Sequence, residues 1–349
     1  MRLQKQYLEK PSHGEPEDVV SHLMAMQAQD YFGALWAVGM RLAGGKVEKV
    51  EDAFMEGRIL RTHVMRPTWH FVSPEDIRWL IKLTAPSVHQ ANAYMYRQQM
   101  LDKTIFSKAN KIIEQTLRDE KQLTREELGA ELSKQGIKAK GVRLAYIVMQ
   151  AELEALICSG PRHGKQFTYS LLDERAPITT KMPDMEEALS DFALRFFSSR
   201  GPAAVNDFPY WSGLKLTIAK AGLESVKQQL ESSQIDGKEY WFSPPFRKSS
   251  KTALEALLLS NYDEYGMSYK DKGAFVNDTK AGSLFDYAYS HLLIIDGKLA
   301  GSWRRERTKV GITIHLKLLN RPANEEKKLV KKAAEKYGEF LGQPVNLAR

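Results

Sequence analysis

Helical runs followed by a pair of β-rich runs recur along this chain, and that order limits the fold more than any other feature. The first pair lies at 58–65 and 68–72, split by Pro67, which cannot donate into a ladder. Two helical runs precede it, one after Pro16 and one from near Lys49 to Gly57. After it, Ser73 stands as an N-cap, Pro74 takes the first helical position and Asp76 is placed to answer the cap. The order then returns. Thr124 with Glu127 three residues on opens a helix, and 141–154 supplies the next. The runs 156–158 and 166–171 flank a tip at 160–165 as a hairpin. A third unit has helices over 187–199, from 201 and beyond 214, with 238–242 as its wing, closed by Pro244 and Pro245. Helices followed by a two-strand hairpin make the order of a winged helix. From about 253 the character changes: apolar 254–259, a hairpin over 291–303 turning at Asp296-Gly297, an alternating strand over 310–316, and a lysine-rich helix over 325–341 stopped by Gly342. The expected fold is α+β. Tandem winged-helix (helix–turn–helix plus wing) units at 1–90, 91–182 and 183–250 precede a C-terminal antiparallel β-barrel-like part with a basic terminal helix at 251–349. The units share an order of elements and no clear sequence identity.

At 349 residues the chain is long enough for two or three domains. With 43% apolar and 27% charged residues it has the composition of a soluble globular protein. The single cysteine, Cys158, excludes an internal disulfide framework and a cysteine-based zinc site; its apolar setting reads as inert packing in a reducing cytoplasm. The polar start has no apolar core of signal-peptide length, and no run approaches the length of a bilayer span. Net charge is +8, and the segment from Gly301 onward carries 12 Lys and Arg against 5 Asp and Glu. A basic chain attracts polyanions, of which nucleic acid is the commonest in the cytoplasm; a solvated surface kept for solubility explains the charge as well.

One polar stretch stands out within this frame. The helical run over 19–26 ends in Gln27-Ala28-Gln29-Asp30, after which the chain turns apolar again. Buried amides need partners for both the carbonyl oxygen and the NH2 group. The stretch is therefore a satisfied core network or the polar floor of a cleft. On an uninterrupted helix, residues two apart do not share a face. Gln27 and Gln29 can act on one ligand only across a groove or where the helix loosens.

Other chemistry is sparse. The eight histidines are scattered without ligand spacing; His63 and His70 sit on neighbouring strands of one hairpin and can face each other, which is a weak metal site beside a core-packing reading. No phosphate-cradling glycine loop and no serine elbow is present. Arg61 and Arg66 flank strands rich in Thr, His and Trp. They hold phosphate, or they fasten the wing by pairing with Asp30, Asp52 or Glu75. Lys138, Lys140 and Arg143 open the second helix of the second unit, which faces DNA in a helix–turn–helix and solvent in a scaffold.

The stretch 26–30, then 60–62 with 65–72, resembles the bacterial winged-helix DNA glycosylases, a family that includes the azinomycin-resistance enzyme. Further matches lie at 201–203 through 211–214, at 262–265 with 269–271, and at 296–297 with 301–305, so the resemblance covers roughly 17 to 347. It implies tandem winged helices around a basic concave surface. The family's catalytic motif is Gln–aliphatic–Gln, which places Gln27 and Gln29 as catalytic residues, with Asp30 as adjacent electrostatic support, a helix cap or a partner for Arg66. DNA contacts are expected at Arg61, Arg66, His70, Lys138, Lys140, Arg143, Arg304 and Arg305. The sequence departs from the family at Pro67, where glycine is usual, at Trp69, where leucine is usual, and at Lys272, where arginine is usual. The implied reaction is hydrolysis of the bond between deoxyribose and an alkylated base, above all N7-alkylguanine, with interstrand crosslinks also in view. It needs no cofactor and no metal. The expected partner of this monomer is double-stranded DNA carrying alkylated bases, with no membrane involved. The competing readings are a non-enzymatic winged-helix DNA-binding protein, acting as regulator or damage sensor, and a scaffold without DNA affinity.

Overall fold

The computed structural model describes residues 1–179, 181–244, 255–276, 290–308 and 311–348. Pro245, Leu254 and Val310, used above as element limits, lie outside them. A single turn, α1 (Arg2–Lys5), precedes α2 (Pro16–Leu23), which has Pro16 at its first position, where an N–H has no helical partner to lose. The helix does not run on toward Gln27. Met24 takes φ +58°, and the chain enters β1 (Ala25–Gln27). This corrects the helical reading of 19–26. Met24, Ala25 and Met26 are all buried, and a short fully apolar run has the same appearance in a helix and in a core strand.

Asp30 caps α3 (Tyr31–Gly39), accepting the Gly33 N–H at 3.2 Å. Then come α4 (Val47–Met55), β2 (Leu60–His63) and β3 (Trp69–Val72), as the sequence suggests. The three strands form an antiparallel sheet in the order β1-β3-β2, with Gln27 and Thr62 on either side of His70. Ser73 accepts the Asp76 N–H at 3.2 Å ahead of α5 (Ile77–Gln98). The Asp76 carboxylate does not return to Ser73. Arg195 donates to both its oxygens, at 2.7 and 2.6 Å, because a guanidinium is the stronger donor.

The second block adds α6 (Lys103–Leu117) to the expected order, followed by β4 (Leu123–Thr124), α7 (Arg125–Lys134), α8 (Gly141–Leu153), β5 (Ile157–Ser159) and β6 (Thr168–Leu171). The capping box between Thr124 and Glu127 is present, and the sheet order is β4-β6-β5. A single turn, α9 (Leu172–Arg175), leads to α10 (Met185–Arg200), α11 (Asp207–Ser212), α12 (Leu216–Val226) and a hairpin of β7 (Glu231–Ile235) with β8 (Lys238–Phe242). Only β8 is legible in the sequence, since β7 is exposed throughout and carries no apolar alternation.

The last part holds β9 (Ala256–Leu258), α13 (Glu264–Met267), β10 (His291–Ile295), β11 (Lys298–Thr308), β12 (Gly311–Leu318), α14 (Asn324–Leu341) and β13 (Val345–Leu347). Its sheet runs β13-β12-β11-β10-β9. All pairings are antiparallel except β12 with β13, so the sheet is mixed, where the expectation was purely antiparallel. Asp296 and Gly297 turn the β10–β11 hairpin with φ +49° and +73°, and Gly342 ends α14 at φ +60°.

The cores cut across these blocks. Trp36 of α3 packs edge-to-face against Tyr337 and at a tilt against Phe340 of α14, and donates its indole N–H to the Leu258 carbonyl at 2.6 Å. A Cβ on Gly39 would lie 2.1 Å from the Phe340 ring, so glycine is needed there. Two buried ion pairs complete the joint. Arg41 grips both oxygens of Asp263, at 2.8 and 3.0 Å, and Arg200 meets Glu264 at 2.9 Å. All four side chains are inaccessible to solvent or nearly so. Removing one member of a buried pair strands the other charge. Arg41→Ala is therefore expected to cost about 3–5 kcal/mol in urea unfolding. An unchanged midpoint would mean that Asp263 finds another partner.

Candidate active site

β1 replaces the helix just before the motif and ends at Gln27, so Gln29 stands in a bend beyond the strand. The ladder continues one residue past β1, with the Ala28 N–H donating to Trp69 O at 2.7 Å. The two amides nevertheless meet different surroundings. Gln27 is only 8% exposed. Its N–H donates to Glu264 Oε1 at 3.0 Å, and its Oε1 accepts from Arg66 Nη2 at 3.3 Å. Gln29 is exposed and makes no hydrogen bond among the described residues.

Arg66 also reaches His70 Nε2 at 3.4 Å. His70 Nδ1 lies 2.9 Å from Thr68 O, and a carbonyl only accepts, so Nδ1 carries the proton and Nε2 receives Arg66. Burial, and then the Arg66 charge, push the His70 pKa well below the ordinary histidine value, so the ring is neutral. His70 has no exposed surface, which corrects the expectation of a direct DNA contact there; its ring meets Arg66 instead. Among the described residues Arg66 pairs with no carboxylate, so the fastening to Asp30, Asp52 or Glu75 does not occur. The same holds for Arg61. Its Nε donates to Ala28 O at 3.1 Å, and its guanidinium lies between the rings of Trp69 and Phe167, 4.4 Å from each. Burial lowers its pKa to about 10, which leaves it cationic at neutral pH.

A cleft of about 370 Å³ opens beside this stack. Gln29, Arg61 and Trp69 come from the first block, and Arg125, Glu126, Lys165 and Phe167 are among the lining residues from the second, so the cleft holds one acid among its cations. The second-block residues have a faint sequence signal at best: Lys165 stands in a hairpin tip, and Arg125 is hidden inside a capping box. Glu264 falls in the stretch 262–265 that carries the resemblance, but neither its role nor that of Arg200 is legible there, since nothing local announces a buried partner from another part of the chain. Of the other expected contacts, Lys138 and Lys140 are exposed at the start of α8, and Arg143 is tied to the carbonyls of Lys138 and Met100 at 2.8 and 3.2 Å. Arg304 is exposed on β11, while Arg305 donates to the Tyr337 hydroxyl. None of these five lines the cleft. Asp30 spends one oxygen on its helix cap.

His63 and His70 do not face each other. His63 lies opposite Trp69, stacks on it at 4.2 Å and bonds Glu152 at 2.5 Å. Among the described residues no group of three or more His, Cys, Asp or Glu is placed to hold a metal ion, and no helix is long and apolar enough to cross a membrane. Cys158 is buried, and its thiol pKa is pushed up to about 12.

The histidines set a pH dependence. Burial lowers His22 to about 4, and His70 also lies far below its unfolded value. The unfolded chain therefore binds more protons below about 6.5, and stability falls as pH drops from there toward 4. Urea midpoints measured across that window are expected to fall, with a shallower slope for His22→Asn. A flat profile would show that these rings titrate normally in the folded chain.

The family model described as DNA glycosylase AlkZ-like matches residues 20–340. An interstrand DNA cross-link repair glycosylase of Streptomyces sahachiroi is 23% identical over 370 residues, covering 100% of this chain and 95% of that protein. The solved structure of the Streptomyces sahachiroi DNA glycosylase AlkZ has a TM-score of 0.81 at 19% identity, covering 99% of this chain and 97% of that one, which is a likeness of fold. The family match spans almost the whole chain and includes both Gln27 and Gln29, so this protein belongs to the AlkZ-like DNA glycosylases, enzymes that act on N-glycosyl bonds.

Proposed function

We propose that this chain hydrolyses the N-glycosidic bond of alkylated bases in double-stranded DNA, with N7-alkylguanine as its main substrate and interstrand crosslinks within its reach. In this reading the three helix-and-sheet blocks are winged helices that present one cationic groove, and the chain works as a monomer in the cytoplasm. The observation that carries the reading is an exposed Gln29, without a hydrogen-bond partner among the described residues, beside Arg61 in a cleft also lined by Arg125 and Lys165.

Alkylation at N7 makes the purine cationic and therefore a good leaving group. The base departs with the electron pair of its bond to C1′, and the sugar gains oxocarbenium character. Water then adds at C1′ and gives up a proton. Amides do not ionise in this range, so neither glutamine is a strong base. Each carbonyl can orient water and set a negative dipole toward C1′. Gln29 is free to take the water. Arg66 occupies one lone pair of Gln27 Oε1 and leaves the other. Asp30 adds full negative charge nearby. The open cleft suits adducts too bulky for a closed flipping pocket. Arg66, Arg125 and Lys165 hold backbone phosphates.

Gln29→Ala is expected to lower release of 7-methylguanine from duplex DNA by roughly 10²–10³-fold, read as alkali-labile sites on a gel, with a comparable loss for Gln27→Ala. Wild-type rates from both variants would remove the assignment. Arg125→Ala and Lys165→Ala should each reduce the slope of log affinity against log salt by about one in fluorescence anisotropy. An unchanged slope would put the phosphate contacts elsewhere.

A further inference from the structure

Glu264 is 1% exposed, yet it accepts from four donors. Gln27 N–H reaches Oε1 at 3.0 Å. Trp211 Nε1, Arg200 Nη2 and Ser268 Oγ reach Oε2 at 2.6, 2.9 and 3.4 Å. A carboxylate so far from water persists only with such a shell. Arg200 is equally buried and turns the same Nη2 to Leu23 O at 2.9 Å and Ala25 O at 3.2 Å.

Those contacts fall on one edge. β1 pairs only with β3, so every second residue aims its N–H and C=O away from the sheet. Ala25 and Gln27 are those residues, and Ala28, which donates to Trp69 O, belongs with Met26 to the inward set. Arg200 takes the outward carbonyl and Glu264 the outward N–H. The strand is three residues long and follows Met24 at φ +58°, a conformation that a side chain rarely adopts unaided. Three residues make too little ladder to fix their own height against the cleft.

We infer that Arg200 and Glu264 form a positioning clamp for the amide motif, setting where Gln27, and through it Gln29, stands relative to the reacting sugar. The clamp touches no substrate. It comes from α10 and α13, so the third block and the C-terminal part take part in the reaction through this one edge. The inference rests on the reading of Gln27 and Gln29 as the acting residues.

Glu264→Gln tests it. An amide accepts at one end only, so either the Gln27 side or the Arg200 side of the clamp must open. Single-turnover release of 7-methylguanine at saturating enzyme is expected to fall about 10- to 100-fold, while the Kd for the duplex stays unchanged. Hydrogen exchange of the backbone amides over 24–29 should rise. Combined with the double variant Gln27→Ala/Gln29→Ala, Glu264→Gln should slow release no further, because the N–H of residue 27 stays in the clamp but no acting amide remains to be placed. A further loss in that background, or a wild-type rate for Glu264→Gln while Gln27→Ala is slow, would overturn the clamp. Wild-type rates for Gln27→Ala and Gln29→Ala would instead overturn the reading beneath it, and the catalytic purpose of the clamp with it. If Glu264→Gln does not fold, Trp211→Phe and Ser268→Ala each remove one donor to Oε2. A slower release at unchanged Kd from either supports the clamp, and wild-type release from both overturns it.

Discussion

Two consecutive carboxylates, Asp263 and Glu264, are each buried against an arginine from a different part of the chain. Neither pair is cheap. Desolvating four charges costs more than most contacts return, and only bidentate geometry and extra donors offset it. Asp263 takes both guanidinium nitrogens of Arg41, at the end of α3, and also caps α13. Glu264 takes Arg200, at the end of α10, together with Trp211 and the edge of β1. One dipeptide thus binds the first block, the third block and the C-terminal sheet to each other. Because the donors are directional, the joint has one register, which an apolar contact of the same area would not impose.

That register matters for the proposed reaction. In that proposal two neutral amides do not drive the chemistry by proton transfer, so their contribution lies in where their dipoles stand before the substrate arrives. The first amide is held from both ends, by Glu264 at its backbone and Arg66 at its side chain. The second lines the cleft and makes no hydrogen bond among the described residues. Their environments divide one motif into an anchored member and an exposed one. The surrounding cations are similarly divided. Arg61 is locked between two rings, whereas Arg125 and Lys165 stand on the opposite wall. Glu126 shares that wall, yet among the described residues neither Arg125 nor Lys165 forms an ion pair with it, which leaves both cations to act on an incoming polyanion.

The cleft itself belongs to no single block. Arg61 and Trp69 come from the first sheet and Phe167 from the second hairpin, and the stack of cation and rings is what seals them together. Beneath it, His63 reaches across to Glu152 of α8. The wall of the site and the interface between blocks are the same residues, so a change at Trp69 or Phe167 acts on both.

Much of the architecture can be read from the chain alone, because caps, turns and periodicity are local physics. Ser73, the Thr124–Glu127 box, Asp296-Gly297 and Gly342 all act within a few residues of where they stand. The amide pair is likewise visible as two uncharged polar residues closing an apolar run. What the sequence could not decide is everything that needs a distant partner. Whether 24–27 is helix or strand depends on β3 and on Arg200 and Glu264, and apolar spacing is blind to the difference. β7 is exposed and shows no pattern, so only its pairing reveals it. The partners of Arg61 and Arg66 were open for the same reason. A guanidinium reads identically beside a phosphate, a carboxylate or a ring until the fold brings one of them near, and here the fold brought rings, an amide and an imidazole.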